Sequence, residues 1–233
     1  MRSGRSRAPR SPPERPARLH TRVKICGCTG VADVELAVEA GADAVGVILA
    51  ERSERRVSIE QMREIAQAVP ALIGLVAVFV DPPSSLVDEA LKVGAIPQFH
   101  GYEDAEACEA FAAGPYLKAF HIDRARAYSA EDFNRFARRF EHATWLFDTA
   151  RDGGPSGGSG RAFDWEVARD LAGHRRFVVS GGLTPANVGD CVRAVRPYAV
   201  DVRSGVETGG VKDGAKIRAF VNAVRGAEAE VPA

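Results

Sequence analysis

The run Val23-Lys24-Ile25-Cys26-Gly27 decides how the rest of the chain is read. Its apolar residues predict a buried strand, and that strand halts on a thiol followed by a residue free to turn sharply. Reactive groups are commonly presented at such strand-to-loop edges on a rigid scaffold. The competing reading of Cys26 is a buried structural thiol, because free cysteine is among the most buried residue types. Two residues earlier, Lys24 falls on the same face of the strand as the thiol.

Outward from this run the pattern repeats. Short apolar runs alternate with segments of helical period, the signature of parallel strands joined by helices. Strands are expected at 22–26, 44–49, 73–80, 96–100, 116–121, 143–148, 176–180 and 198–202. Helices are expected at 31–40, 59–68, 84–93, 103–112, 130–139, 164–172, 185–194 and 213–225. Eight strands, each followed by a helix, predict one closed α/β barrel, a (β/α)8 TIM barrel over 22–226. A doubly wound open sheet is the alternative, and the strand count favours closure. Local signals agree: Ser58 with Gln61 reads as a capping box, and Thr184-Pro185 as a cap followed by a first-turn proline. Gly41 and Gly94 read as left-handed helix ends, and Asp81-Pro82-Pro83 as a chain break after the third strand.

The chain of 233 residues has 45% hydrophobic and 27% charged residues, the composition of an ordinary globular protein. Its net charge of zero hides an asymmetry: residues 1–21 contain six arginines, four prolines and one acid, Glu14. That stretch buries too little to fold alone and is expected to be disordered, and 227–233 is expected to be a C-terminal tail. It lacks the apolar region of a secretory signal. The remainder is mildly acidic, which argues against nucleic-acid binding. The longest apolar run, 71–80, is too short to span a membrane. Four cysteines (Cys26, Cys28, Cys108, Cys191) form no CxxC pair and no zinc pattern, so a reduced, cytoplasmic setting without metal or cofactor is expected.

Twelve of the 23 glycines lie between Gly153 and Gly210. Ten of them fall in Gly153-Gly154-Pro155-Ser156-Gly157-Gly158-Ser159-Gly160, in Ser180-Gly181-Gly182-Leu183, and in Ser204-Gly205-Val206-Glu207-Thr208-Gly209-Gly210, each directly after a predicted strand. Unobstructed successive backbone N–H groups make anion-binding concavities, and loops after strands seven and eight are a recurrent phosphate site in such barrels. Any one glycine pair reads equally as a turn. Three clusters at one end of adjacent strands point to a phosphate-bearing ligand, held by Gly158, Ser159, Gly181, Gly182, Ser204 and Gly205.

These segments together resemble the phosphoribosylanthranilate isomerase family of tryptophan biosynthesis. The resemblance is carried by Lys24-Ile25-Cys26-Gly27, Gly41-Ala42-Asp43-Ala44-Val45-Gly46, Ser53-Glu54-Arg55, Gln98-Phe99-His100-Gly101, Asp148-Thr149, Gly157-Gly158-Ser159-Gly160 with Phe163-Asp164-Trp165, Ser180-Gly181-Gly182-Leu183 and Asp201-Val202-Arg203-Ser204-Gly205-Val206-Glu207. The resemblance implies an Amadori rearrangement of N-(5-phosphoribosyl)anthranilate. Asp148 would be the acid that opens the ribose ring, and Cys26 the base that takes the C2 proton. It implies substrate contacts for Lys24, Arg55, His100 and Asp201, with Arg55 matching the arginine for the anthranilate carboxylate. A small phosphosugar is the implied partner, of a monomer or homodimer.

Each role has a plain structural alternative: Asp148 as a turn residue, Arg55 as a solvated surface arginine, His100 as a hydrogen-bonded histidine. For the acid, a raised pKa is required, obtainable by partial desolvation near Trp145 and Phe147 or by the substrate's ring. For the base, whose ordinary thiol pKa is near ~8.5, the ammonium of Lys24 is expected to hold the thiolate while pairing with Asp201. Lys24 reads equally as half of a structural ion pair. His121, His142 and His174 carry no usable pattern. The chain departs from the family at Cys28, Gly30 and Arg203, where a larger aliphatic, a polar or basic, and a small polar residue are usual. Two rival functions stay open: an aminoaldose isomerase of the histidine-pathway or dual-substrate type, and a phosphosugar-binding barrel without catalysis.

Overall fold

Alternation along each strand sends one set of side chains inward and the other toward a ring of helices, and this geometry closes the chain on itself. The structure, a computed structural model, describes residues 20–112, 114–122, 129–149, 165–173 and 175–230. In chain order the elements are β1 (Arg22–Cys26), α1 (Val31–Glu39), β2 (Ala44–Ile48), α2 (Ile59–Ala68), β3 (Gly74–Phe79), α3 (Ser84–Lys92), β4 (Ile96–Phe99) and α4 (Ala105–Ala112). They continue as β5 (Tyr116–Ile122), α5 (Ala130–Ala137), β6 (Ala143–Thr149), α6 (Trp165–Ala172), β7 (Phe177–Val179), α7 (Val188–Val195), β8 (Ala199–Val202) and α8 (Gly214–Glu230). The parallel strands β1 to β8 form a closed barrel, with β8 pairing back onto β1. After β8 come a 3-10 turn (Ser204–Val206) and a two-stranded ribbon, β9 (Glu207–Thr208) with β10 (Val211–Lys212), that the sequence reading lacks.

Outward-facing residues of the strands, among them Val23, Ile25, Val45, Val47, Phe99, Trp145, Phe147 and Val200, join the helices in one large buried cluster. Burying each such side chain is worth about 1.5–3 kcal/mol. Phe120 is the hub of an aromatic group with Phe133, Phe140, Trp145 and Phe147 at centroid separations of 5.1–6.2 Å. The barrel interior is filled by smaller apolar clusters, Cys26, Ile48, Val76 and Val78 on one side and Ala119, Leu146, Val178 and Ala199 on the other. Leu117 packs against both, so the two halves share one floor.

Most boundary signals hold. Ser58 and Gln61 form a reciprocal capping box, and Gly41 and Gly94 take positive φ of 88° and 79°. Thr184-Pro185 does not open α7, which begins at Val188. There Asn187 closes a turn, its Oδ1 accepting from the Thr184 N–H at 2.8 Å. Helix α4 starts two residues later than expected because Glu103 is engaged elsewhere. Its carboxylate accepts from the Asp81 and Gly101 N–H groups and from Lys118 Nζ at 2.7 Å.

Both ends of the described chain pack onto the barrel. Thr21 is buried, bonded to Glu228 and to the Pro197 carbonyl, and α8 runs on to Glu230 with Ala227 buried. Residues 1–19 and 231–233 lie outside the described residues. Asp43 ties this end of the barrel together, accepting from the Val23 N–H at 2.8 Å and from Arg225 at 3.0 Å. No helix of the described residues is long and apolar enough to cross a membrane.

Candidate active site

Cys26, His100, Asp148 and Ser180 stand at the carboxyl ends of their strands, where barrels of this architecture carry their chemistry. Lys24 on β1 and Asp201 on β8 are register partners, and Nζ donates to Oδ1 at 2.8 Å. Ser180, just past β7, donates to the other oxygen of Asp201 at 3.1 Å. Cys26 lies one inward position above Lys24. Both depend on Gly46 across the β1–β2 pairing: a Cβ there would stand 3.1 Å from Cys26 Sγ and 3.1 Å from Lys24 Nζ. The missing side chain therefore makes the room in which thiol and ammonium meet.

The electrostatics of Cys26 differ from expectation. Burial pushes the thiol up, and Lys24 pulls it down by charge and hydrogen bond, but less; the net direction is up. Lys24 itself is depressed by burial, but the charge of Asp201 is the largest opposing cause and the net direction is up, so the ammonium stays charged. The cation is in place, and the resting sulfur is a thiol rather than the expected thiolate.

Asp148 enters from β6. Its carboxylate Oδ2 is 3.1 Å from Nε2 of His100, at the end of β4. Without substrate the carboxyl is not raised. Burial does push the carboxyl up, but the hydrogen bond and charge of His100 outweigh it and hold Asp148 below its usual range. The expected desolvation by Trp145 and Phe147 fails on parity, since 145 and 147 point to the helices while 146 and 148 point inward. Oδ1 of Asp148 is buried and accepts no hydrogen bond among the described residues. His121, the β5 register partner of Asp148, stacks edge-on against His100 with centroids 5.0 Å apart and donates Nε2–H to the His100 carbonyl at 3.0 Å.

Beside Asp148 lie two of the predicted glycine loops. Gly181 and Gly182 take positive φ of 81° and 66°. A Cβ on Gly181 would sit 2.3 Å from Asp148 Oδ1, and one on Gly205 2.0 Å from the Leu183 carbonyl. The loops after β7 and β8 thus touch backbone to backbone. Apart from bonds within helices and strands, the N–H groups of Gly181, Gly182, Ser204 and Gly205 donate to no backbone acceptor among the described residues, and successive N–H groups of this kind can hold an anion. Gly158 and Ser159 lie outside the described residues.

Arg55 does not stand as a solvated surface residue. Its Nη2 and Nε approach the Glu207 carboxylate at 3.3 and 3.5 Å, and Lys212 Nζ donates to the same carboxylate at 2.9 Å. Glu207 is a residue that the sequence reading left without a role, as is Ser180. Only the chain's closure, which brings the ribbon after β8 over the loop after β2, reveals the first. Arg203 extends across Gly27, where a Cβ would stand 3.2 Å from its Cγ.

This arrangement offers a carboxyl group with a hydrogen-bonded imidazole, a thiol with a buried cation, and an anion cradle, all on one barrel rim. The model of the N-(5'-phosphoribosyl)anthranilate isomerase family matches residues 23–223. The isomerase of that name from Dechloromonas aromatica (strain RCB) is 44% identical over 218 residues, covering 91% of this chain and 100% of its own. The one from Pseudomonas aeruginosa PAO1 is 44% identical over 217 residues, covering 88% and 95%. Among solved structures, phosphoribosyl anthranilate isomerase from Thermus thermophilus matches with a TM-score of 0.74 at 35% identity, over 88% of this chain and 99% of that one. The isomerase solved in complex with reduced 1-(o-carboxyphenylamino)-1-deoxyribulose 5-phosphate matches with a TM-score of 0.71 at 35% identity and the same coverage. Fold, rim chemistry and likeness agree, and the chain belongs to the phosphoribosylanthranilate isomerase family.

Proposed function

We propose that this isomerase converts N-(5'-phosphoribosyl)anthranilate to 1-(2-carboxyphenylamino)-1-deoxyribulose 5-phosphate with Asp148 as acid and Cys26 as base. The observation that carries this reading is the placement of two different proton-handling groups, from β6 and β1, above one shared floor.

The rearrangement needs a proton delivered to the ribose ring oxygen and another removed from C2. Asp148 makes the first transfer. In the free chain its carboxyl is held ionised by His100, so the proton comes from the Nε2–H···Oδ2 hydrogen bond. Such a pair delivers a proton to the substrate while His100 takes up the charge change. The opened sugar is a protonated Schiff base whose C2 hydrogen is acidic. Cys26 first loses its own proton to solvent, Lys24 stabilises the thiolate so formed, and the thiolate takes the C2 proton and returns to the thiol. The resulting enolamine tautomerises to the ketone.

The other groups position the sugar. The N–H groups of Gly181, Gly182, Ser204 and Gly205 receive the 5-phosphate, and Arg55 receives the anthranilate carboxylate in exchange for Glu207, which fits the planar fork of a guanidinium. The family's solved complex with a reduced product analogue supports a small phosphosugar as the partner here. Lys24 and Asp201 act on the base through each other rather than as direct ligands of the sugar. A two-aspartate isomerase would need a carboxylate at the mouth of β1, where this chain has Cys26.

The test is a crystal structure of this chain with that reduced analogue. The expected result is the sulfur of Cys26 beside C2 and the Asp148 carboxylate on the far side of the same sugar, with the phosphate on the glycine loops. An analogue seated with the thiol or the carboxylate out of reach refutes the assignment.

A further inference from the structure

We propose that His100, His121 and Asp148 form a binding site for a first-row divalent transition-metal ion such as Zn2+, and that the ion blocks turnover by occupying Asp148. The three residues come from the ends of neighbouring strands, and one donor atom of each lies within 4.8 Å of the other two. His100 Nε2 and Asp148 Oδ2 are already 3.1 Å apart. Two ligands bound at about 2.0–2.2 Å to one ion sit at nearly that separation. Closing the third ligand onto the ion requires a movement of about 1–2 Å at most on the same metal–ligand lengths.

The outer hydrogen bonds fit as well. Ligating imidazoles almost always donate their second N–H to a carbonyl or carboxylate, which fixes the ring and directs the lone pair at the metal. His121 makes such a bond, from Nε2 to the His100 carbonyl at 3.0 Å. His100 Nδ1 faces the side-chain amide of Gln98 at 3.2 Å, while Gln98 Oε1 is buried with no partner among the described residues. Turning that amide over satisfies Oε1 with the Nδ1–H of His100 and leaves Nε2 to ligate. Two imidazoles and one carboxylate with positions left open suit Zn2+, Co2+, Ni2+ and Fe2+.

Binding displaces the proton shared by His100 and Asp148 and releases it to solvent. The carboxylate's lone pair is then spent on the ion, and no proton remains for the ribose ring oxygen. This blockade rests on the role proposed for Asp148; the binding itself does not.

The experiment titrates the untagged full chain with Co2+ by absorbance, competes it with Zn2+, and measures turnover alongside. The expected result is one ion per chain, d–d bands without a thiolate-to-cobalt charge-transfer band, and turnover lost in proportion to occupancy and restored by a chelator. His121→Phe keeps the edge-on packing against His100 and removes one ligand. Its metal affinity and metal sensitivity should fall at least about 100-fold, the upper end of what loss of an outer partner alone causes, with metal-free turnover retained. If that variant does not fold, His121→Asn makes the same comparison. The site is overturned by absence of saturable binding, by a thiolate band that moves the ion to Cys26, or by His121→Phe that is as sensitive as the parent. Binding as described with turnover untouched overturns the blockade, and with it the role of Asp148, but not the site.

Discussion

Replacing Lys24 with methionine separates the structural and chemical parts of the rim. Lys24 and Asp201 form an ion pair at 2.8 Å with side chains only 5% and 6% exposed. Removing one partner strands the other as a buried charge, which costs about 3–5 kcal/mol. Ser180 still donates to Asp201 at 3.1 Å, so the lower end applies. In a chain of this length each kcal/mol moves Tm by about 2–4 °C, so about 3 kcal/mol predicts a fall of about 6–12 °C by calorimetry. Activity falls for a second reason. With the ammonium gone, burial and the Asp201 charge both push the Cys26 thiol further up. Each added pKa unit removes about tenfold of the thiolate at neutral pH, so turnover should fall at least about tenfold beyond any loss of folded protein. The control is Lys24→Met with Asp201→Leu. Apolar replacement of a buried pair is often neutral, so the double variant should regain its Tm and not its turnover. A single variant that loses less than about 1 kcal/mol, the cost of an exposed pair, refutes the reasoning, as does a double variant with parental turnover.

Two further predictions follow from the rim. A thiol raised by burial must still lose its proton to act as base, so kcat/KM of the free enzyme should still be climbing through about pH 8; a plateau by pH 7 would show a preformed thiolate. Gly205→Ala places a Cβ 2.0 Å from the Leu183 carbonyl. The loops after β7 and β8 must part at a strain of about 1–3 kcal/mol. KM should rise at least about tenfold, equivalent to about 1.4 kcal/mol, with kcat largely retained; unchanged KM would remove the phosphate from these loops.

The barrel was legible because its signals are local and repeat: each strand ends in a turn signal, and each helix keeps its period. The Lys24–Asp201 pair was legible for a topological reason, since closure makes β1 and β8 neighbours. What escaped depends on contacts far apart in sequence. Nothing near Asp148 announces His100, 48 positions earlier, or makes His121 its register partner. So the imidazole that holds the carboxyl down in the free chain is invisible in the sequence. Trp145 and Phe147 cannot desolvate Asp148, because strand alternation places them on the opposite face of β6. The resting state of Cys26 was misjudged because a neighbouring cation is visible in sequence and the depth of burial is not. Nothing near Arg55 announces its pairing with Glu207, which reaches it only through the ribbon after β8.

Turnover of Asp148→Asn and Cys26→Ala, measured beside their affinity for the reduced product analogue, tests the acid–base assignment most directly. Each change should lower kcat by about 10²–10⁴-fold, the usual share of one positioned acid or base, while the analogue still binds. Either variant turning over within about tenfold of the parent would fall below that range and contradict the account.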